Sequence, residues 1–469
     1  MHFEDPDRAR SPEASNDSGP WTKDLTRYHW FVLIVAALGW MFDTMDQQLF
    51  NLARKPAITE LLKGTSGADP SFRAISDYGS YATMIFMLGW ATGGLYFGIL
   101  GDKIGRAKTM MLTIVVYSIC TGLSALSVGV WDFAAYRFLT GLGVGGEFAV
   151  GVSLVAEVIP ARARPFALGW VQAMSAVGNM TAAVIGMTLG YYERTGAVAH
   201  AWRWMFVIGT APALLALLVR RRLKEPEKWK AATRVDEVSA GPGSRVGSIA
   251  DLFGDPRWRR NTIVGMILGF SGIVGLWGIG FFSFDLIRAI FKVQLQAQGL
   301  SADQIEGELT WRVGITSLMQ NLGGFFGVYA FTRVTARIGR KVAFAISFVL
   351  ATFATSATFW FIDSYDDLFW LIPLMGFCQM TLFGGYAIYF PELFPTRLRS
   401  TGTSFCYNVG RFVAAFGPLF LGLLTSQVYG GFGEILARRY AGVTMCLCFL
   451  IGLAALPFAP ETKGKPLPE

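Results

Sequence analysis

Twelve runs of mostly apolar residues, each long enough to cross a bilayer as a helix, restrict this chain more than any other feature. A hydrocarbon core about 30 Å thick takes about 20 such residues, and every backbone N–H and C=O inside it must find a partner within the segment. The runs cover 28–51, 77–100, 110–130, 132–158, 165–191, 202–219, 262–287, 313–332, 342–361, 367–390, 401–428 and 440–459. Charge makes up 16% of the 469 residues, against about 25% in soluble domains. A disordered chain and an ordinary soluble enzyme are thereby excluded. The expected fold class is an all-α membrane protein with twelve transmembrane helices in two six-helix halves around a central cavity.

Lysine and arginine set the orientation. With both termini inside, the inner segments hold 28 of the 41 basic residues and the outer ones 10. The net charge of +8 is therefore assigned to the cytoplasmic leaflet of the cell membrane and not to nucleic acid. The expected organisation is a cytoplasmic tail (1–27), a first bundle (28–219), a charged cytoplasmic linker (220–261), a second bundle (262–459) and a cytoplasmic C-terminal tail (460–469). Residues 1–27 lack the short apolar core of a cleaved signal peptide. The five cysteines all fall inside spans, so no structural disulfide is expected.

The halves repeat. Glu157-Val-Ile-Pro-Ala-Arg162-Ala-Arg164 recurs 235 residues later as Glu392-Leu-Phe-Pro-Thr-Arg397-Leu-Arg399. Ile104-Gly105-Arg106 recurs as Ile338-Gly339-Arg340, and Pro226-Glu227 as Pro460-Glu461, both at an offset of 234. One near-constant offset implies duplication of a six-helix unit, with a shared cavity between the copies. Asp102, Glu157, Glu225, Glu227, Glu392 and Glu461 stand at inner helix ends beside Arg106, Arg162, Arg164, Arg340, Arg397 and Arg399. They read either as a gate network of charge pairs between the halves or as topology signals with solvated acids.

An ionisable group inside a span costs about 3 kcal/mol or more, so each one marks a candidate site. Asp43 and Asp46 are spaced i, i+3 and share a helix face, with Gln47 next to them. Both carboxylates are expected to look into the cavity. Two like charges so close in a low dielectric do not ionise together, which suits a proton carrier; the bland alternative makes them structural partners of a basic residue. Arg137 either pairs with one of them or snorkels to an interface. Glu147, about 15 Å further along the same helix, is a second proton site or a packed, protonated acid. Arg411 lies deep in its run with no local acid, the natural seat for a substrate carboxylate unless an acid of another helix claims it. Gln47, Gln172, Asn179, Gln320, Asn321, Gln379, Tyr386, Tyr407 and Asn408 are the polar groups expected to orient a small solute. Asp285 and Arg288 read as a local pair.

Several stretches resemble the major facilitator superfamily of transporters. Gly98-Ile-Leu-Gly-Asp102-Lys-Ile-Gly-Arg106 looks like its signature between helices 2 and 3, and Arg137-Phe-Leu-Thr-Gly-Leu-Gly-Val-Gly-Gly146 like its helix 4 motif. Lys224-Glu-Pro-Glu227 and Pro460-Glu-Thr-Lys-Gly464 resemble the motifs after helices 6 and 12 of the sugar-porter and organic-ion branches. Asp43-Thr-Met-Asp46 is similar to the helix 1 acid pair of aromatic acid/proton symporters, without their usual intervening glycine. Arg411 is similar to the helix 11 arginine of organic-anion carriers. The second copy of the helix 2–3 signature has Ala336 where the first has Asp102.

The resemblance implies proton-coupled symport of a small organic anion by alternating access, in a protein expected to work as a monomer in the lipid bilayer. Its partners are then an anionic small molecule and protons. A sugar or organic-cation carrier is the nearest alternative, and a non-transporting receptor a remoter one, given the short tails. There is no metal cluster, phosphate loop or nucleophile–base pair, so neither an enzyme nor a cofactor is expected.

Overall fold

The computed structural model describes residues 20–67, 69–214, 222–238 and 246–468. The start of the N-terminal tail, the end of the sixth span and part of the linker lie outside them. Among the described residues, twelve helical rods carry the fold. We call them α1 (Arg27–Ser66), α2 (Phe72–Ile104), α3 (Arg106–Ser124), α4 (Val130–Val158), α5 (Arg164–Arg194) and α6 (Ala201–Ile208). In the second half α7 is Pro256–Ile273, a π-helical stretch Val274–Gly280 and Phe281–Ala297. It is followed by α8 (Ala302–Ile338), α9 (Arg340–Phe361) and α10 (Leu371–Glu392). The last two rods are α11 (Arg399–Ala414, continued by Gly417–Leu423 and Leu424–Val428) and α12 (Glu434–Met445 with Leu447–Ala455). Glu227–Val238 and Ile249–Gly254 are short helices of the linker.

Two rods outrun their apolar stretches by more than ten residues at one end. α1 continues fifteen residues past 51, through Pro56, because polar turns at a helix end need no bilayer and still gain backbone hydrogen bonds. α8 starts eleven residues before 313 on a Ser301–Gln304 capping box, in which each residue's side chain accepts from the other's backbone N–H. Hydropathy reports the buried length of a helix, not its whole length.

The helices face two solvents. Ile34, Ile119 and Phe353 are 51 to 70% exposed, as residues that meet lipid tails should be. The opposite faces pack tightly. α2 and α4 approach through glycine: a Cβ on Gly93 would lie 2.0 Å from the Leu142 carbonyl oxygen, and one on Gly145 2.1 Å from that of Trp90. Backbone cannot step aside as a side-chain tip can. Gly93→Ala is therefore expected to destabilise the protein by about 1–3 kcal/mol. Its thermal midpoint in detergent should fall clearly, whereas Gly64→Ala, with open space around the position, should leave it unchanged.

Candidate functional site: a cavity between the halves

The halves meet along two seams, α2 against α11 and α5 against α8. Between the seams lies a cavity of about 780 Å³, counting the space open to solvent. α1 contributes Trp40, Thr44, Gln47 and Gln48; α5 contributes Gln172, Ser175 and Asn179; α8 contributes Gln320 and Asn321. Trp90, Phe284, Phe383 and Tyr407 supply aromatic walls.

Among the described residues, Arg411 is the one charged side chain on that lining. It is 1% exposed and stacked between Trp90 of α2, 4.2 Å from the ring centre, and Tyr407, at 4.4 Å. Its Nη1 donates to the Tyr407 carbonyl at 3.1 Å and to Asn408 Oδ1 at 2.5 Å, while Nε has no partner. Rings and carbonyls soften the cost of burying the cation without neutralising it.

The predicted polar set divides. Gln47, Gln172, Asn179, Gln320, Asn321 and Tyr407 line the cavity with Arg411; Gln379, Tyr386 and Asn408 do not. Gln379 stands behind Gln320, accepting from it at 3.5 Å and donating to Thr355 at 3.1 Å. Tyr386 donates to the Leu268 carbonyl at 2.6 Å and stacks on Phe390. Asn408 braces Arg411 from α11's inner side. Trp40, Trp90, Gln48 and Ser175 were missed, since only the packed neighbours reveal which face of a helix is wet.

Asp43 and Asp46 do not look into the cavity. They share a face, as spaced, but that face turns into the first half, about a quarter-turn from the one that presents Trp40, Thr44 and Gln47. Asp46 accepts from Thr121 at 2.7 Å and stands 3.5 Å from Arg137. Arg137 is fully buried, donates to Ser124 and Thr140, and lies over the Phe206 ring at 4.6 Å, so it does not snorkel. Glu147 accepts from Thr113 at 2.8 Å and sits against Gly39, where a Cβ would come within 2.2 Å of its Oε1. Among the described residues no group lies within ordinary hydrogen-bond distance of either Asp43 oxygen, and the carboxyl faces Glu147, Asp46 and the Tyr117 hydroxyl. Three buried carboxylates thus stand together, and Arg137 faces Asp46 among them.

At the end that carries the linker, charges close the α2–α11 seam. Glu157 Oε1 accepts from Arg106 at 3.0 Å and, across the halves, from Arg399 at 2.9 Å. Arg106 also donates to the Thr396 carbonyl at 2.7 Å. Asp102, paired with Arg106 at 2.9 Å, caps the first turn of α11 from the other half: it accepts from the N–H of Ser400 (3.2 Å) and Thr401 (2.8 Å) and from the Thr401 hydroxyl (2.6 Å). Nearby, the Ser404 hydroxyl donates to the Gly94 carbonyl.

The repeated counterpart is looser. Arg340 pairs with Glu392 at 2.9 Å inside the second half, and Arg164 lies buried near Glu392 with its Nε unpartnered. Here Ala336 replaces Asp102, and the reason is visible at the cap it would make: Pro165, at the first turn of α5, has no N–H to give.

Five predicted gate residues have other duties. Arg162 meets Asp24 at 3.7 Å near the surface, and the exposed Glu227 pairs with Lys230 of its own helix at 2.8 Å. Arg397 pairs with Asp251 of the linker at 2.5 Å. Glu225 and Glu461 cap the starts of α3 and α9, where Gly105 (φ +111°) and Gly339 (φ +93°) turn the chain sharply enough for a carboxylate to nest. Burial works to raise the Glu461 pKa, yet the backbone amides of Arg340, Lys463, Lys341 and Thr462 hold it below the ordinary carboxylate value. Asp285 faces Arg438 and Arg54 as well as Arg288, so its setting extends beyond a local pair.

Two bundles around a cavity with a charge-closed end already narrow the possibilities, and a family comparison decides between them. The Major Facilitator Superfamily pattern matches residues 30–418. The chain belongs to that superfamily. It is a multi-pass membrane transporter and not an enzyme. The sialic acid transporter NanX of Escherichia coli is 27% identical over 88% of this chain and 90% of its own. The cis,cis-muconate transport protein of Acinetobacter baylyi is 26% identical over 81% of this chain and 84% of its own. The proton:xylose symporter XylE, solved with 6-bromo-6-deoxy-D-glucose, shares the fold with a TM-score of 0.70 at 18% identity, covering 94% of this chain and 98% of its own.

Proposed function

We propose that this transporter carries a small organic anion together with protons, by alternating access, with its linker end in the cytoplasm of a cell whose plasma membrane it spans as a monomer. The observation that carries the reading is Arg411, a buried cation on the cavity wall with aromatic rings and carbonyls around it and no carboxylate among the described residues bonded to it. A substrate carboxylate supplies the missing counter-charge. Relatives named for muconate, a dicarboxylic acid, and sialic acid, a monocarboxylic one, support an anionic cargo without fixing its number of charges.

Proton coupling rests on Asp43, Asp46 and Glu147. Protonating Asp46 cancels the charge that Arg137 faces, which frees the arginine and alters how α1 packs on α4. That is differential binding of a proton by two states, the requirement for any coupled shift. Because α1 also presents Trp40, Thr44 and Gln47 to the cavity, a change in its packing reaches the substrate directly.

The test is uptake of radiolabelled carboxylates into proteoliposomes under an imposed pH gradient. Asp43→Asn with Asp46→Asn should reduce gradient-driven accumulation to background while leaving exchange of internal for external substrate. Full accumulation in the double variant would sink the coupling assignment. The amide-rich lining favours one rival, a neutral-sugar carrier; sugar uptake indifferent to Arg411→Ala would establish it.

A further inference from the structure

The polar groups of the cavity are not scattered. Arg411 and Trp90 face one another across the halves at the α2–α11 seam. At the opposite seam, Asn179 of α5 donates to Asn321 Oδ1 of α8 at 2.9 Å, again joining the halves. Gln48 Nε2, on α1, reaches Ser317 of α8 at 3.3 Å beside it. One wall of the cavity is therefore cationic and aromatic, and the other is neutral and amide-lined.

Unsatisfied atoms follow the same division. On the lining, Arg411 Nε and Trp40 Nε1 are donors without acceptors, while Gln172 Oε1, on the α5 face that also carries Ser175 and Asn179, is an acceptor without a donor. Buried polar atoms without partners are costly, so what enters the cavity should complete them. A carboxylate completes the donors. The acceptor calls for an O–H or N–H.

We propose that Gln172, Asn179 and Asn321 form a second, neutral subsite that reads a hydrogen-bonding group at the end of the substrate remote from its carboxylate, so that the cavity selects monoanions with a distal donor over dianions. This rests on the carboxylate reading of Arg411. A dianion would place its second charge among amides, with no cation among the described residues of that wall, where desolvation is not repaid. A distal hydroxyl instead satisfies Gln172 and can exchange into the Asn179–Asn321 bond, so that the substrate itself ties the two halves together.

The test uses matched acids of two lengths on the purified full-length protein, read by thermal stabilisation and by titration for Kd. The set is benzoate, 4-hydroxybenzoate and terephthalate, with cinnamate and 4-hydroxycinnamate as the longer pair. In the pair of fitting length, the hydroxy acid should bind about tenfold or more tightly than its parent, since a site built around a hydroxyl penalises its absence. Terephthalate should not bind at concentrations that saturate with 4-hydroxybenzoate. In Gln172→Leu and Asn321→Leu the hydroxy-to-parent ratio should fall to about one. Asn321→Lys, which puts a cation on the neutral wall, should admit terephthalate.

An unchanged ratio in both leucine variants, or terephthalate binding to the unmodified protein as well as 4-hydroxybenzoate does, overturns the subsite while leaving the Arg411 reading intact. The comparison in unmodified protein decides even if a variant fails to fold. Failure of every acid to bind overturns both readings together.

Discussion

Replacing Arg411 with glutamine should lower substrate affinity by a hundredfold or more and abolish measurable uptake, while the protein still folds and inserts. Glutamine keeps a donor but loses the charge, the forked geometry and the stacking between Trp90 and Tyr407. Removing one side of a buried, hydrogen-bonded charge pair costs about 2–5 kcal/mol, of which 2.8 kcal/mol corresponds to about a hundredfold in Kd. Removing a lone buried cation also relieves its desolvation, so the empty variant should be no less stable than the original protein. Loss of affinity joined to an equal or higher thermal midpoint would distinguish substrate binding from a structural role. Arg411→Lys retains a point charge and should recover part of the affinity. Normal uptake in the glutamine variant would end the organic-anion proposal.

Glu157→Gln should have the second large effect, on the conformational equilibrium. One oxygen of Glu157 serves both Arg106 and Arg399, so the substitution leaves two buried guanidiniums beside each other without their shared counter-charge. Breaking a buried pair in this way costs about 3–5 kcal/mol, and about 3 kcal/mol shifts a two-state population by roughly a hundredfold. The cost falls only on the state in which the linker end is closed. A cysteine placed at Ser404, now buried against the Gly94 carbonyl, should therefore react much faster with a thiol reagent applied from the linker side when Glu157 is glutamine. Unaltered labelling would show that the closed end is held by packing and not by charge.

Legibility from sequence followed a clear physical line. The twelve rods and the duplication were readable because hydropathy runs and repeated charged motifs are one-dimensional signals. Arg411 and Asp46 could be singled out because charges in an apolar run are rare and expensive. Direction around a helix axis was not readable. Asp43 and Asp46 were expected at the cavity and turn away from it, because successive residues differ by about 100° and the sequence does not mark which face meets water. The same uncertainty hid Gln48 and Trp90 and placed Tyr386 on the wrong wall. The gate erred differently. Its acids were selected for standing beside arginines, whereas Glu225 and Glu461 bind backbone N–H groups at helix starts, and Asp102 does so in addition to pairing with Arg106; such partners carry no residue identity. The polar run Ser400-Thr-Gly-Thr-Ser404 at the head of an apolar span was the available hint for Asp102.

Pro165 breaks the twofold relation between the repeats at a single atom, the amide hydrogen it lacks. Its counterpart Ser400 gives that hydrogen to Asp102; Pro165 leaves the α5–α8 side uncapped. A closed end latched along one edge and merely packed along the other behaves as a door, with a fastened margin and a hinged one. Its charged fastening lies on the α2–α11 margin, and a second aspartate at position 336 would meet one amide hydrogen, that of Phe166, where Asp102 meets two and a hydroxyl.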